Sequence, residues 1–132
     1  MKYWNELDHS FFFNKIFSSS IAIGEIDLFT LTLDNNRPTL TLEFDIDEYP
    51  DNPPLKWTQQ DFNTCRIGIT CGNPENLTIK NIPTNKKLKI KISIHERIYT
   101  VTAFNDEALI EFKTEYVLLC DPSGYQNAAN SE

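Results

Sequence analysis

Thr39-Leu40-Thr41-Leu42-Glu43-Phe44-Asp45-Ile46-Asp47 alternates polar and apolar side chains without a break. Successive strand residues point to opposite faces. Leu40, Leu42, Phe44 and Ile46 therefore make one apolar face, and Thr39, Thr41, Glu43, Asp45 and Asp47 make the other. The spacing predicts a strand with its back on a core and its front in water. The same period recurs outward along the chain. Residues 64–71 turn Cys65, Ile67, Ile69 and Cys71 inward. Residues 87–95 set Leu88, Ile90, Ile92 and Ile94 against Lys87, Lys89, Lys91, Ser93 and His95. Residues 26–34 place Asp27, Phe29, Leu31 and Leu33 on one face, followed by a turn at Asn35-Asn36 and Pro38 at the start of the next run. Shorter runs at 77–82, 98–104, 108–113 and 116–120 bring the number of strands to eight.

Only residues 3–17 carry a helical period. Trp4, Leu7 and Phe11 recur at spacings of three and four, as do Phe12 with Ile16 and Phe13 with Phe17. Ser10 stands where it could cap a second short helix after a break at Asp8-His9. No later helix of useful length is predicted, so parallel βαβ units are excluded. The expected fold is mainly β. It is an antiparallel meander of about eight strands in a sandwich-like or strongly curved sheet, with a short N-terminal helix packed on it. Residues 48–61 hold three of the seven prolines and read as one long irregular loop.

The chain has 132 residues, which fits a single domain over 1–125 with a loose tail at 126–132. Hydrophobic residues make up 40 % and charged residues 23 %, enough for a real core and unlike a disordered chain. No apolar run is long enough to span a membrane as a helix. Gly24, Gly68, Gly72 and Gly124 are too scattered for a phosphate-cradling loop. The net charge is −7, the wrong sign for a non-specific nucleic-acid binder or an anionic membrane surface. The imbalance is uneven: residues 1–63 hold 11 acids and 4 bases, whereas residues 64–132 hold 8 of each. An acidic first half suits a basic partner. Three cysteines give no disulfide framework, and Glu6, Asp8 and Lys15 spoil the Phe11–Phe13 run as a secretory signal. A cytoplasmic protein is expected.

Catalytic patterns are weak. Cys65 and Cys71 lie six strand steps apart, about 20 Å, so they read as buried apolar residues and not as a disulfide. Cys120 precedes Asp121-Pro122 with no histidine at motif spacing. His9 and His95 belong to no ligand-spaced pair, so neither a metal nor a cofactor is expected. Asp45 and Asp47 share a strand face about 7 Å apart, a separation that glycosidase carboxylates use. They also belong to a wider acidic run with Glu43, Glu48 and Asp51, flanked by Tyr49 and Trp57. That run reads either as a solvated face or as a partner-binding patch. Trp57 reads as core or as interface anchor. Lys87, Lys89 and Lys91 read as the charges of an edge strand. The segment 116–120 is a candidate for dimer pairing.

Tyr49-Pro50-Asp51-Asn52-Pro53-Pro54-Leu55-Lys56-Trp57, followed by Asn63 at the head of a strand, resembles the immunity protein 50 family. Trp4 and Leu7, the strand Leu40-Thr41-Leu42-Glu43-Phe44 and the late Gly124-Tyr125 extend the likeness from Trp4 to Tyr125. Two positions depart from the pattern. Ser18–Ser20 stand where a glycine is expected, and Lys80-Asn81-Ile82 stand in place of a Gly-Trp pair. The resemblance implies a bacterial, non-catalytic protein that inhibits a cognate polymorphic toxin by binding it. It makes Trp4, Pro50, Pro53, Pro54, Lys56, Trp57 and Asn63 motif residues, structural or interfacial. Glu43, Asp45, Asp47, Glu48, Tyr49 and Asp51 are the candidate toxin-binding residues. The competing expectation is a β-sandwich ligand- or carbohydrate-binding module with Trp57 and Tyr49 as stacking platforms.

Overall fold

The computed structural model describes residues 1–130. Eight antiparallel strands form one open sheet: β1 (Glu25–Asp34), β2 (Thr39–Ile46), β3 (Thr64–Gly72), β4 (Glu75–Lys80), β5 (Leu88–His95), β6 (Ile98–Phe104), β7 (Leu109–Thr114) and β8 (Tyr116–Tyr125). Their order is β4-β7-β6-β5-β1-β2-β3-β8. The runs β1-β2-β3 and β5-β6-β7 are meanders. β4 and β8 are exchanged: each leaves the meander it follows and becomes the outer strand of the other.

The two halves meet at a short seam, where β1 and β5 pair only through Glu25–Lys89 and Ile26–Leu88. At another corner, two residues join β3 to β4 and one joins β7 to β8. There Thr114 Oγ1 and the Glu115 N–H both donate to the Gly72 carbonyl. The sheet is thus folded into two four-stranded leaves over a common core. Leu40, Leu42, Phe44, Ile67 and Ile69 of one leaf and Leu88, Ile90, Val101, Ile110 and Phe112 of the other are at most 2 % exposed. Both the sandwich-like and the strongly curved expectation describe this sheet.

β2 keeps its predicted alternation throughout. β1 does not. Its register to β2 slips between Leu28–Phe44 and Thr30–Glu43, leaving Phe29 as an extra, bulged residue. One added residue reverses the faces. Ile26 and Leu28 point inward before it, and Leu31 and Leu33 pair with the buried Leu42 and Leu40 after it. Asp27 and Phe29 therefore lie on the outer face, not with Leu31 and Leu33. Ile94, expected inside, is 51 % exposed because it sits at the tip of the β5-β6 hairpin, beyond the core. β5 is not an outermost strand of the sheet, although beyond Lys89 it has no β1 partner.

The N-terminal helix is broken, as Asp8-His9 indicated. A 3-10 turn (Trp4–Glu6) precedes α1 (Phe11–Ile16). Ser10 occupies the N-cap position, but its hydroxyl donates to the Asn5 carbonyl 3.0 Å away. Trp4 stacks on Phe44 with ring centroids 5.2 Å apart, and Phe13, Ile16 and Phe17 are buried. Phe11 points to solvent. Asp8 bridges to Leu118 and so covers part of the β8 edge, the strand suspected of dimer pairing. The 48–61 segment is not irregular throughout, since it contains α2 (Leu55–Gln59). Pro53 and Pro54 hide that helix from a periodicity reading, yet proline suits its start, where the N–H groups lack partners.

Of the expected tail, residues 126–130 are described. The Asn127 N–H donates to Asn63 Oδ1 at 2.8 Å, and Asn63 Nδ2 donates to the Asn127 carbonyl at 3.0 Å. A 3-10 turn (Ala128–Asn130) follows. Residues 131 and 132 lie outside the described residues.

Candidate functional site: the outer face of β1-β2-β3

The register of β2 with β3 sets Asp45 opposite Arg66 on the outer face. Arg66 Nε donates to Asp45 Oδ1 at 2.8 Å and Nη2 to Oδ2 at 3.3 Å, a bidentate pair. The Tyr125 hydroxyl donates to the same carboxylate. The Arg66 guanidinium also lies 3.6 Å from the centre of the Phe29 ring and 4.5 Å from that of Tyr125. Burial alone would lower the Arg66 pKa, but the hydrogen bond and charge of Asp45 more than reverse this and raise it. Tyr125 is raised by burial and by its hydrogen bond to Asp45. This cluster ties β1, β2, β3 and β8 together on the solvent side.

Beside it lies a groove of about 440 Å³ lined by Asp27, Asp45, Asp47, Lys87, Asn63 and Asn127, among others. Asp27 and Asp45 are paired across β1 and β2. Lys87 answers the carboxylates: its ammonium bonds to Asp47 and lies 3.6 Å from Asp27. The bond to Asp47 is the main reason its pKa is raised.

The candidate acids thus divide. Asp45 is held within the arginine-tyrosine cluster, and Asp47 is paired but exposed. Asp51 accepts from the Ser18 N–H at 2.9 Å and from the Ser18 hydroxyl, while the Asn52 N–H and side-chain amide donate to the carbonyls of Ile16 and Lys15. Asp51-Asn52 therefore ties the proline segment to the end of α1. Glu43 and Glu48 form no salt bridge among the described residues, and Glu48 is exposed. Tyr49 is half-buried and stacks near Trp57, with centroids 6.1 Å apart; burial raises its pKa.

The motif residues fall mostly inside. Trp57 is 7 % exposed and packs on Tyr49, Phe62 and the Gly124 backbone. Buried there, it offers no platform to a sugar ring, which removes the main feature behind the carbohydrate-binding expectation. Trp4 and Pro50 are buried, Pro53 and Pro54 are half-buried, Asn63 anchors Asn127, and Lys56 faces solvent. Asp27, Phe29, Arg66, Lys87 and Tyr125 were missed as site residues. Arg66 carried a signal, being the only charged residue between Asp61 and Glu75 and standing at an outward position of an apolar strand.

Two groups give direct tests. Asp51, held by Ser18, and Glu6, held by the N–H groups of Tyr3 and Lys2, both have lowered pKa values. A lowered carboxyl contributes stability above its unfolded pKa and loses it as pH falls through the folded value. The melting temperature should therefore drop below about pH 4. Asp51→Asn should flatten that acid limb in a series of thermal melts. Burial pushes the Cys65 and Cys71 thiols up to about 12, whereas Cys120 is only partly buried. A thiol reagent at pH 8 should label at most Cys120 in the folded protein and all three cysteines after denaturation.

No group of His, Cys, Asp and Glu among the described residues is arranged to hold a metal ion, and no described helix is long and apolar enough to cross a membrane. The fold and its outer face define a small, mostly β protein in which Asp45 and Asp47 are held in ion pairs while Glu43 and Glu48 are left open among the described residues. The chain belongs to the immunity protein 50 family, whose model matches residues 12–125. No curated protein and no solved structure matches it. Family membership makes it an immunity protein.

Proposed function

We propose that this protein neutralises a cognate bacterial toxin by stoichiometric binding, without catalysis, through the outer face of β2 and the segment that follows it. Glu43, Asp45, Asp47, Glu48, Tyr49 and Asp51 belong to that surface. The supporting observation is the groove, where Asp27, Asp45 and Asp47 meet a single lysine, Lys87, on the solvent side of the sheet. Many antibacterial toxins act on nucleic acid through a basic cleft. An acidic face is drawn to such a cleft and, once seated, denies it to phosphate. Three free thiols fit a reducing, cytoplasmic setting.

The test is co-expression with the toxin domain encoded beside this chain. Survival of the cells and recovery of a 1:1 complex are the expected results. Survival without a complex would mean enzymatic detoxification, and death would overturn the reading. Charge reversal then probes the surface. Glu43→Lys with Glu48→Lys should slow association about tenfold at low salt, with the deficit shrinking as salt is added. Unchanged association in stopped flow would place the interface elsewhere.

A further inference from the structure

We infer that Phe29 is the apolar anchor of the toxin-binding surface, and that the partner meets it with a loop bearing a basic side chain that enters the adjoining groove. The inference rests on the proposed function and adds the point of contact and the chemistry of the partner.

Phe29 is 58 % exposed and lies on β1 beyond its two-residue pairing with β5. Alternation from Ile26 and Leu28 puts the ring on the outer face with Asp27, Glu43 and Asp45, and the β-bulge beside it turns Leu31 and Leu33 to the other face. Bulges are over-represented beside functional sites. The ring is also held still. Arg66 lies 3.6 Å over it, and Arg66 is clamped by Asp45 and backed by Tyr125. An exposed aromatic fixed in this way loses little conformational entropy when covered, which is the property of an interface hot spot.

The chemistry of the neighbour follows from the charges. Asp45 belongs to both the stack and the groove wall, so the two are continuous. One ammonium already sits between two of the groove's carboxylates, that of Lys87 between Asp27 and Asp47. It shows the kind of group this wall accepts. A partner lysine or arginine beside an apolar residue would satisfy the groove and cover Phe29 together. Arg66 would by itself attract a carboxylate, but Asp45 already neutralises it, so the wall presents no unanswered cation to an acidic partner.

The experiment is a calorimetric titration of the toxin domain encoded beside this chain into wild type, Phe29→Ala, Phe29→Leu and Leu33→Ala. Leu33 is the control, being 52 % exposed at the far end of the same strand. Phe29→Ala should weaken binding at least thirtyfold, chiefly through faster dissociation, with the melting temperature nearly unchanged. Phe29→Leu should fall between it and wild type, and Leu33→Ala should stay within threefold. If Phe29→Ala melts early, the Phe29→Leu titration decides alone. Wild-type binding with both Phe29 variants within threefold would overturn the anchor and leave the proposed function standing. No wild-type binding would overturn both.

Discussion

Trp57→Ala is expected to lower stability by about 3–5 kcal/mol, the range for removing a large buried aromatic. For a chain of this length that is a fall in melting temperature of roughly 10–20 °C. The ring is enclosed by Tyr49, Phe62 and the backbone at Gly124, so little can collapse into the space it leaves. Gly124 provides the internal check. A Cβ there would lie 2.6 Å from Trp57 Cδ2 and 2.8 Å from Phe62 Cδ2. Gly124→Ala should cost about 1–3 kcal/mol by overpacking. In the Trp57→Ala background that penalty should largely vanish, because the atoms it clashes with are gone. Urea unfolding of the four proteins in this cycle measures the coupling. Additive losses would show that the two residues do not share one packing site.

Asp45→Lys is expected to be nearly as harmful, costing about 3 kcal/mol. Removing one partner of a largely buried ion pair leaves the other desolvated and unanswered, and here a second cation would face the first. Asp45 and Arg66 are 12 % and 20 % exposed, so solvent softens the penalty without removing it. The Tyr125 hydroxyl loses its acceptor as well. Asp45→Asn, which keeps the shape and part of the bonding, should cost less than half as much. Equal stability of wild type and Asp45→Lys in denaturant would show that the pair is ornamental. Asp47→Lys, in an exposed pair with Lys87, should change stability by less than about 1 kcal/mol. The two aspartates look alike in sequence, and binding studies that reverse Asp45 would confuse lost folding with lost contact.

Their difference marks the limit of reading this chain unaided. The alternation of Leu40, Leu42, Phe44 and Ile46 was legible because it follows from strand geometry alone. So was the burial of Cys65, Ile67, Ile69 and Cys71. Leu31 and Leu33 were placed on the wrong face because a bulge is one residue out of period, and period is the only information a strand pattern contains. α2 was missed because five residues after two prolines are too few to display a helical repeat. The partnership of Asp45 with Arg66 spans 21 positions and depends on the register of β2 with β3, which the sequence does not declare. The acidic run was visible as composition. How it divides between tethered and open carboxylates is a matter of tertiary neighbours.

The exchange of β4 and β8 between the two leaves has a consequence for synthesis on the ribosome. Neither meander can complete its own leaf. While only residues up to 115 have emerged, β3 presents a bare edge to the cell, because its outer neighbour, β8, is made later. Bare edges recruit stray strands, and pairings so distant along the chain form slowly. The nascent protein is therefore prone to aggregate until β8 has emerged. A chain cut after position 115 is expected to aggregate on expression, which fractionating the cell lysate would show.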